Sequence, residues 1–444
     1  MSDFPASKTA RGALFARAGL KVGANYAKYY ANRALGGRAG ADKSALHRDN
    51  ADDLFRRFTQ LRGTALKLAQ SLSLDTGVLP DEFVEVMSQA QYRVPPMNRA
   101  LVRRRLRDEL GAYPEKLFGR FEAEALAAAS IGQVHRAETR DGVPVAVKIQ
   151  YPDVRRTIES DLSMARLLFG RLVGERVDDY FAEIRDKLLE ETDYGHESRQ
   201  LLRFAADWDD PAVVLPRPLP ELSSARVLTM TFVEGSHLDA YLAGGPTQTE
   251  RDAYGQLLWD FFHRQIAAGR YTLHADLHPG NFLFRADGRL GVIDFGCVKE
   301  FPPDFIDLCL RLLRQHCRND EADLKALYRE ARILDQNQEG PVSEEEAFAY
   351  FRSFGLALSH PYREESCDFG DPDYRRRIND FFRRGPDLKP QVSRHFIFLN
   401  KVQAGLYSLL MKLGARVDTR YSRRVIEGDA VLEKEGAQQS GVEY

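Results

Sequence analysis

The chain has 444 residues, 43% of them hydrophobic and 29% charged, with a net charge of −2. That is length for two or three domains with sizeable cores, and a composition for a soluble globular protein. No apolar run approaches the ~18 residues of a membrane-crossing helix, and the opening MSDFPASKTARGALF lacks the apolar stretch and cleavage site of a secretory signal. The four cysteines, Cys297, Cys309, Cys317 and Cys367, form no CxxC pair, as expected of reduced thiols in a cytoplasmic protein.

The charge is unevenly spread. Residues 1–113 hold 19 Lys/Arg against 11 Asp/Glu, which suits an anionic partner or surface. Within them, Phe15, Val22, Tyr26 and Tyr29 recur at near-helical spacing with Lys21, Lys28 and Arg33 elsewhere around the wheel. The expectation is a basic amphipathic segment over 1–48, peripheral to an anionic membrane. Helices are predicted over 51–73 and 81–112, within an all-helical stretch 49–113. The texture then changes. VHRAETRDGVPVAVKIQY alternates around Asp141-Gly142, predicting a hairpin of strands 132–139 and 143–150. One long helix is predicted over 153–205, followed by a buried strand in ARVLTMTFVEG. Helices dominate beyond 236, interrupted by short strands near Phe282–Phe284 and Leu290–Ile293, and the polar residues 431–444 read as a frayed tail.

A β-rich region (114–233, with inserted helices) followed by a helical one (234–430) has the layout of a protein-kinase-like fold. The class expected is therefore α+β and bilobal, with an N-terminal helical extension lying over the active site.

The chemistry follows the same order. Lys148 in VAVK stands near the end of a predicted strand, where a Lys can pair with the α/β-phosphates of ATP if a Glu holds it. HADLHPGNF places Asp276 and Asn281 five residues apart, and GVIDFGC places Asp294 before Phe-Gly. This spacing resembles the kinase catalytic loop and its metal-binding Asp: one Asp orients the attacking group, while Asn281 and Asp294 offer hard oxygens to Mg²⁺. A second Asp-Phe-Gly, at 368–370, has no catalytic-loop pattern before it and is read as chance. His135 and His196 are read as structural, and Cys297 as a small buried residue. The phosphate loop is unusual. LAAASIGQVH puts Ala127, Ala128, Ala129 and Ser130 where kinases carry glycines, and alanines resist φ > 0. A more helical loop is expected there.

Together AAASIGQVHRA, VAVKIQYP, HADLHPGNF and DFG resemble the UbiB/AarF-type atypical kinases, which include coenzyme-Q-biosynthesis kinases. LKLAQSLS supplies Lys67, Gln70 and Ser73 of that family's K-x-G-Q-x-x-S element, with Ala69 in place of its Gly. EETDYGHE supplies Glu191, Asp193 and Glu197. The resemblance implies that Lys148 pairs with Glu197, and that Lys67 and Gln70 lie over the nucleotide and meet Glu191 and Asp193. It further implies ATP or ADP and Mg²⁺ as cofactors, and a lipid or quinone-precursor ligand rather than protein substrates. By position, Val134, Ala146, Thr231 and Val233 join the nucleotide contacts. The competing readings are a small-molecule phosphotransferase of the aminoglycoside or choline-kinase type and a non-enzymatic, nucleotide-gated scaffold. Nucleic-acid binding is not expected, because no basic–aromatic strand face is present.

Overall fold

The computed structural model describes residues 50, 97–128, 131–173, 177–267, 271–334, 343–383 and 394–428. The basic segment 1–48, the tail 431–444 and Lys67, Ala69, Gln70, Ser73, Ala129 and Ser130 lie outside the described residues. Packing separates two units. The first holds the chain up to Trp208 together with Pro216–Phe232, and the second holds Asp209–Leu215 and everything from Val233.

In the first unit, α1 (Arg99–Leu110) begins at Asn98, whose side chain accepts from the Leu101 N–H, and ends at Gly111 in the left-handed region (φ 78°). After the short α2 (Pro114–Leu117) comes an antiparallel sheet of β1 (Arg120–Phe121), β3 (Gly132–Glu138), β4 (Pro144–Gln150) and β6 (Val227–Thr231), with β2 (Ala127–Ala128) also paired to β3. The β3–β4 register runs from Gly132 opposite Gln150 to Glu138 opposite Pro144, and Gly142 at φ 80° makes the turn. Alternation buries Val145, Val147 and Ile149 completely on one face of β4. The other face presents Ala146 and Lys148. Val134 stands opposite Lys148, with Ala127 opposite Val134 in turn.

Two expectations fail here. Ala127-Ala128 is a strand, not a helical turn: its pairing with Gln133 and Val134 satisfies backbone groups that would otherwise need a helix, and extended backbone suits alanine without φ > 0. The single helix over 153–205 is three: α3 (Val154–Val173), α4 (Val177–Glu191) and α5 (Tyr194–Asp207). The break before α5 is local chemistry. Asp193 adopts extended backbone and its carboxylate accepts from the Gly195 N–H, so it caps a new helix instead of continuing the old one.

The second unit is helical around α7 (Gln248–Ala267), which is apolar on several sides and buries Tyr254, Leu258, Trp259, Phe261 and Phe262. Trp259 packs against Tyr362, Phe369 and Tyr407, and its indole N–H donates to Ser422 at 3.0 Å. The short strands β7 (Thr272–His274) and β10 (Val298–Glu300) pair with each other. β5 (Val213–Val214), β9 (Leu290–Val292) and β8 (Phe282–Phe284) form a second small sheet. A third pair, β11 (Ser366–Asp368) with β12 (Arg416–Asp418), ties the late chain together. The remaining helices are α6 (Leu238–Ala243), α8 (Pro303–Arg318), α9 (Glu321–Glu330), α10 (Glu344–Leu358), α11 (Pro372–Arg383), α12 (Arg394–Leu413) and α13 (Arg420–Glu427). Among the described residues, no helix is long and apolar enough to cross a membrane.

Candidate active site

Within the first unit the polar centre is one ion pair. Lys148 Nζ lies 2.8 and 2.9 Å from the two carboxylate oxygens of Glu197, with both side chains about nine-tenths buried. β4 delivers the lysine and the first turn of α5 delivers the glutamate, where the helix dipole favours negative charge. The Tyr194 ring lies 5.1 Å from the ammonium. A Cβ at Gly132 would stand 2.6 Å from the Ile149 carbonyl and 2.7 Å from the Tyr194 hydroxyl, so only glycine lets β3 pass this close. Removing one partner of such a pair strands a buried charge, at about 3–5 kcal/mol. The capping Asp193 also stands 3.5 Å from Arg199, and Glu191 closes α4. Of the positions expected near a nucleotide, Ala127, Val134, Ala146 and Lys148 share one sheet face. Thr231 instead pairs with Val145, and its N–H is already donated to the Arg217 carbonyl at 2.8 Å, which removes that N–H from any adenine contact. Val233 belongs to the second unit, buried against Gly291. His135 is a satisfied core residue. The Gln133 amide bonds one ring nitrogen at 2.7 Å, the Glu122 carbonyl bonds the other at 2.9 Å, and burial lowers the pKa.

The second unit builds the other polar group from two chain segments bonded to each other. β7 and β10 pair His274 with Val298, and the Ala275 N–H donates to the Cys297 carbonyl at 2.7 Å. The buried His274 donates from Nε2 to the main-chain carbonyl of Asp294 at 2.6 Å. Donation to a carbonyl fixes the tautomer, and burial lowers the pKa, so the ring is neutral. Pro279–Asn281 form a 3₁₀ turn, and the β8–β9 hairpin extends it so that Ile293 N–H donates to the Asn281 carbonyl. Asn281 is thereby held across the hairpin from Ile293, one residue before Asp294. Its Nδ2 donates to the main-chain and side-chain oxygens of Asp276, both at 2.9 Å, which fixes the orientation of the amide. Asp294 Oδ1 accepts from the Gly296 N–H at 2.9 Å.

One residue here stands outside every motif read from the sequence. Lys401 on α12 places Nζ 2.9 Å from Asp276 Oδ1. Gly405, one turn later on the same helix, explains the approach: a Cβ there would stand 2.4 Å from the Leu277 carbonyl, so the helix rests directly on the loop that carries Asp276. The signal was a K-x-x-x-G spacing in a helix, where i and i+4 share a face.

Among the described residues no group of three or more His, Cys, Asp or Glu could hold a metal. A carboxylate and an amide oxygen suit Mg²⁺, which keeps waters and takes its other ligands from phosphates, and not a fully caged metal. Burial pushes the thiol pKa of Cys317 up to about 11 and that of Cys367 up to about 12, so neither is an activated nucleophile.

This geometry can be set beside known proteins. The family model for the ABC1 atypical kinase-like domain matches residues 89–328. The chain belongs to this UbiB/AarF-type family of atypical kinases. It is 31% identical over 429 residues to "Atypical kinase COQ8, mitochondrial" of Saccharomyces cerevisiae, covering 94% of this chain and 84% of that protein. It is 30% identical over 391 residues to "Atypical kinase coq-8, mitochondrial" of Caenorhabditis elegans, covering 83% of this chain but 49% of that longer relative. Among solved structures it resembles Rv3197 of Mycobacterium tuberculosis, described in complex with erythromycin, at a TM-score of 0.61 and 27% identity over 86% of this chain and 96% of the other. The protein-kinase-like α+β fold expected from the sequence is the fold of this family, and membership implies ATP binding.

Proposed function

We propose that this family member is a Mg²⁺-dependent ATP-binding atypical kinase or ATPase that serves isoprenoid-quinone or other lipid metabolism at a membrane surface, not one that phosphorylates proteins in trans. The observation that carries the nucleotide reading is the buried Lys148–Glu197 pair. A desolvated ammonium held against a carboxylate is placed as a lysine that meets phosphate oxygens would be, and is costly to keep for packing alone. In this reading Lys148 binds the α/β-phosphates, with Ala127, Ala128, Ala129, Ser130, Val134, Ala146, Thr231 and Val233 around the nucleotide. Asn281 and Asp294 hold Mg²⁺, which would neutralise charge on the phosphates. Asp276 orients the attacking group, and Lys401 and Asn281 hold its two oxygens. His274 fixes the segment that carries Asp294. Lys67 and Gln70, with Glu191 and Asp193, form the family-specific cover.

The preference against peptide substrates is supported by the chain after Gly296. Residues 297–302 include β10, and α8 begins at Pro303, leaving little length for a segment that presents a peptide. The quinone or lipid assignment rests on the family resemblance, and the membrane assignment on the charge of residues 1–48.

The test is twofold. MgATP is expected to raise the thermal unfolding midpoint, and Lys148→Met or chelation of Mg²⁺ to remove the shift. Phosphate release is expected to rise with anionic liposomes, and flotation with them to require residues 1–48. A shift that survives Lys148→Met would refute the nucleotide assignment. Flotation undiminished without 1–48 would refute the membrane one.

A further inference from the structure

The second unit holds another concavity, of about 1080 Å³, lined by none of the residues of the catalytic loop or the Asp294 segment. One wall is α13. Its Ser422, Val425 and Ile426 are buried, so helical periodicity directs Arg420, Arg423 and Arg424 away from the core. The end of α8 contributes Cys317 and Arg318, and the chain after α10 contributes Tyr362 and Arg363.

The charges do not balance. Five guanidinium groups line the space against three carboxylates, Asp260, Asp418 and Glu427. Asp418 Oδ2 takes Arg420 Nε at 2.9 Å, and Glu427 takes Arg318 at 3.3 Å. Arg363 Nη2 donates to the Leu356 carbonyl at 3.0 Å and to Ser359 Oγ at 2.9 Å. Arg423 and Arg424 have no carboxylate within ion-pair distance among the described residues. Arg423 converges with Arg363 and Arg318 at the Cys317 thiol, where Glu427 also acts. Burial raises the thiol pKa, and the nearby charges of Arg363, Arg423 and Arg318 each oppose that rise.

A cleft with surplus positive charge calls for a ligand of acceptor oxygens. Guanidinium forks match phosphate best. The volume exceeds a phosphate ion and suits a small organic molecule, and the Tyr362 and Tyr421 rings offer it apolar surface.

We infer that this cleft is a second ligand site, which takes an organic phosphate ester through Arg423 and Arg424. A soluble phosphate ester and a phospholipid headgroup share this chemistry, and the experiment separates them. The full chain, in EDTA and low salt, is titrated calorimetrically with glycerol 3-phosphate. It is also floated with phosphatidylglycerol vesicles against phosphatidylcholine vesicles. Each measurement is repeated on Arg423→Gln/Arg424→Gln and on Asp294→Asn. Because residues 1–48 carry basic charge of their own, the readout is the difference between wild type and the arginine variant.

At least a tenfold loss of glycerol 3-phosphate affinity in the arginine variant, with Asp294→Asn unchanged, supports a soluble ligand. The same selective loss on phosphatidylglycerol alone supports a headgroup. Equal binding of both probes by wild type and arginine variant, binding of neither, or a loss confined to Asp294→Asn overturns the inference. The arginine variant is expected to keep the wild-type unfolding midpoint, since neither side chain has an ion-pair partner to lose.

Discussion

The chain writes Asp-Phe-Gly twice, and the two copies fold alike over their own three residues. In each, the carboxylate accepts from the glycine N–H two positions on, at 2.9 Å for Asp294 and 2.8 Å for Asp368. In each, the phenylalanine is buried, with 1% of Phe295 and none of Phe369 exposed. The difference lies in their surroundings. Asp294 follows a hairpin that holds Asn281 beside it, and its carbonyl is bonded by buried His274. Asp368 ends β11 opposite Arg416, which bonds its other carboxylate oxygen at 3.0 Å. The tripeptide encodes an Asx turn with a buried ring; whether its carboxylate serves chemistry or an ion pair is decided by the neighbouring strand.

The comparison can be broken first through what the copies share. Phe295→Ala and Phe369→Ala are each expected to cost about 3–5 kcal/mol of unfolding free energy, measured by urea denaturation. A loss below about 1 kcal/mol for Phe369 would mean that the second copy is not a core element.

Both copies also rest on buried neutral histidines, which gives the next largest effect. Phe369 packs on Trp259, which packs on His263. Burial lowers the pKa of His263 to about 4, and does the same to His316. A depressed histidine means that the unfolded chain binds the extra proton, so this stability is intact above about pH 6.5 and lost as the pH falls toward 4. The loss is about 3 kcal/mol per group over the whole window. Asp260 works the other way. Burial pushes its carboxyl up to about 6, so the folded state gains the proton first, and a penalty of about 3 kcal/mol is relieved below pH 6. Urea midpoints should therefore fall between pH 7 and 5 in the wild type, and fall further in Asp260→Asn, which lacks the opposing contribution.

A smaller effect sharpens the contrast on the catalytic side. Lys401→Met should lower ATP turnover about 100-fold, comparable to the loss of one oriented donor at a reacting group. Lys401→Arg should restore some of it, and the nucleotide affinity measured by calorimetry should hold. Equal losses in Met and Arg variants would reduce Lys401 to a packing residue. The smallest effect belongs to the second copy: Asp368→Asn exchanges an exposed ion pair for an amide, and should change stability by less than about 1 kcal/mol in urea.

Much of this was legible in the sequence, for definite reasons. The β3–β4 hairpin showed in strict alternation around Asp141-Gly142. The candidate site residues Asp276, Asn281 and Asp294 stood out because they sit within one short stretch whose spacing is set by a turn and a hairpin. The misreadings arose where tertiary or capping chemistry overrode propensity. The helical periodicity of 153–205 is genuine, but the Asp193 carboxylate prefers to cap a new helix. The alanines at 127–128 are good helix formers, yet β3 offers them a strand. Lys401 was missed because its partner lies 125 residues away, and the K-x-x-x-G spacing that marks its face reads in sequence, without that partner, only as a weak point in a helix.

The most direct test of the account is phosphate release from MgATP by the wild type, Asp294→Asn and Asp368→Asn, measured together at pH 7.5. The account predicts turnover in the wild type, a loss of at least about 100-fold in Asp294→Asn, and turnover within about twofold of wild type in Asp368→Asn. Turnover that survives Asp294→Asn, or falls equally in the two variants, would contradict it.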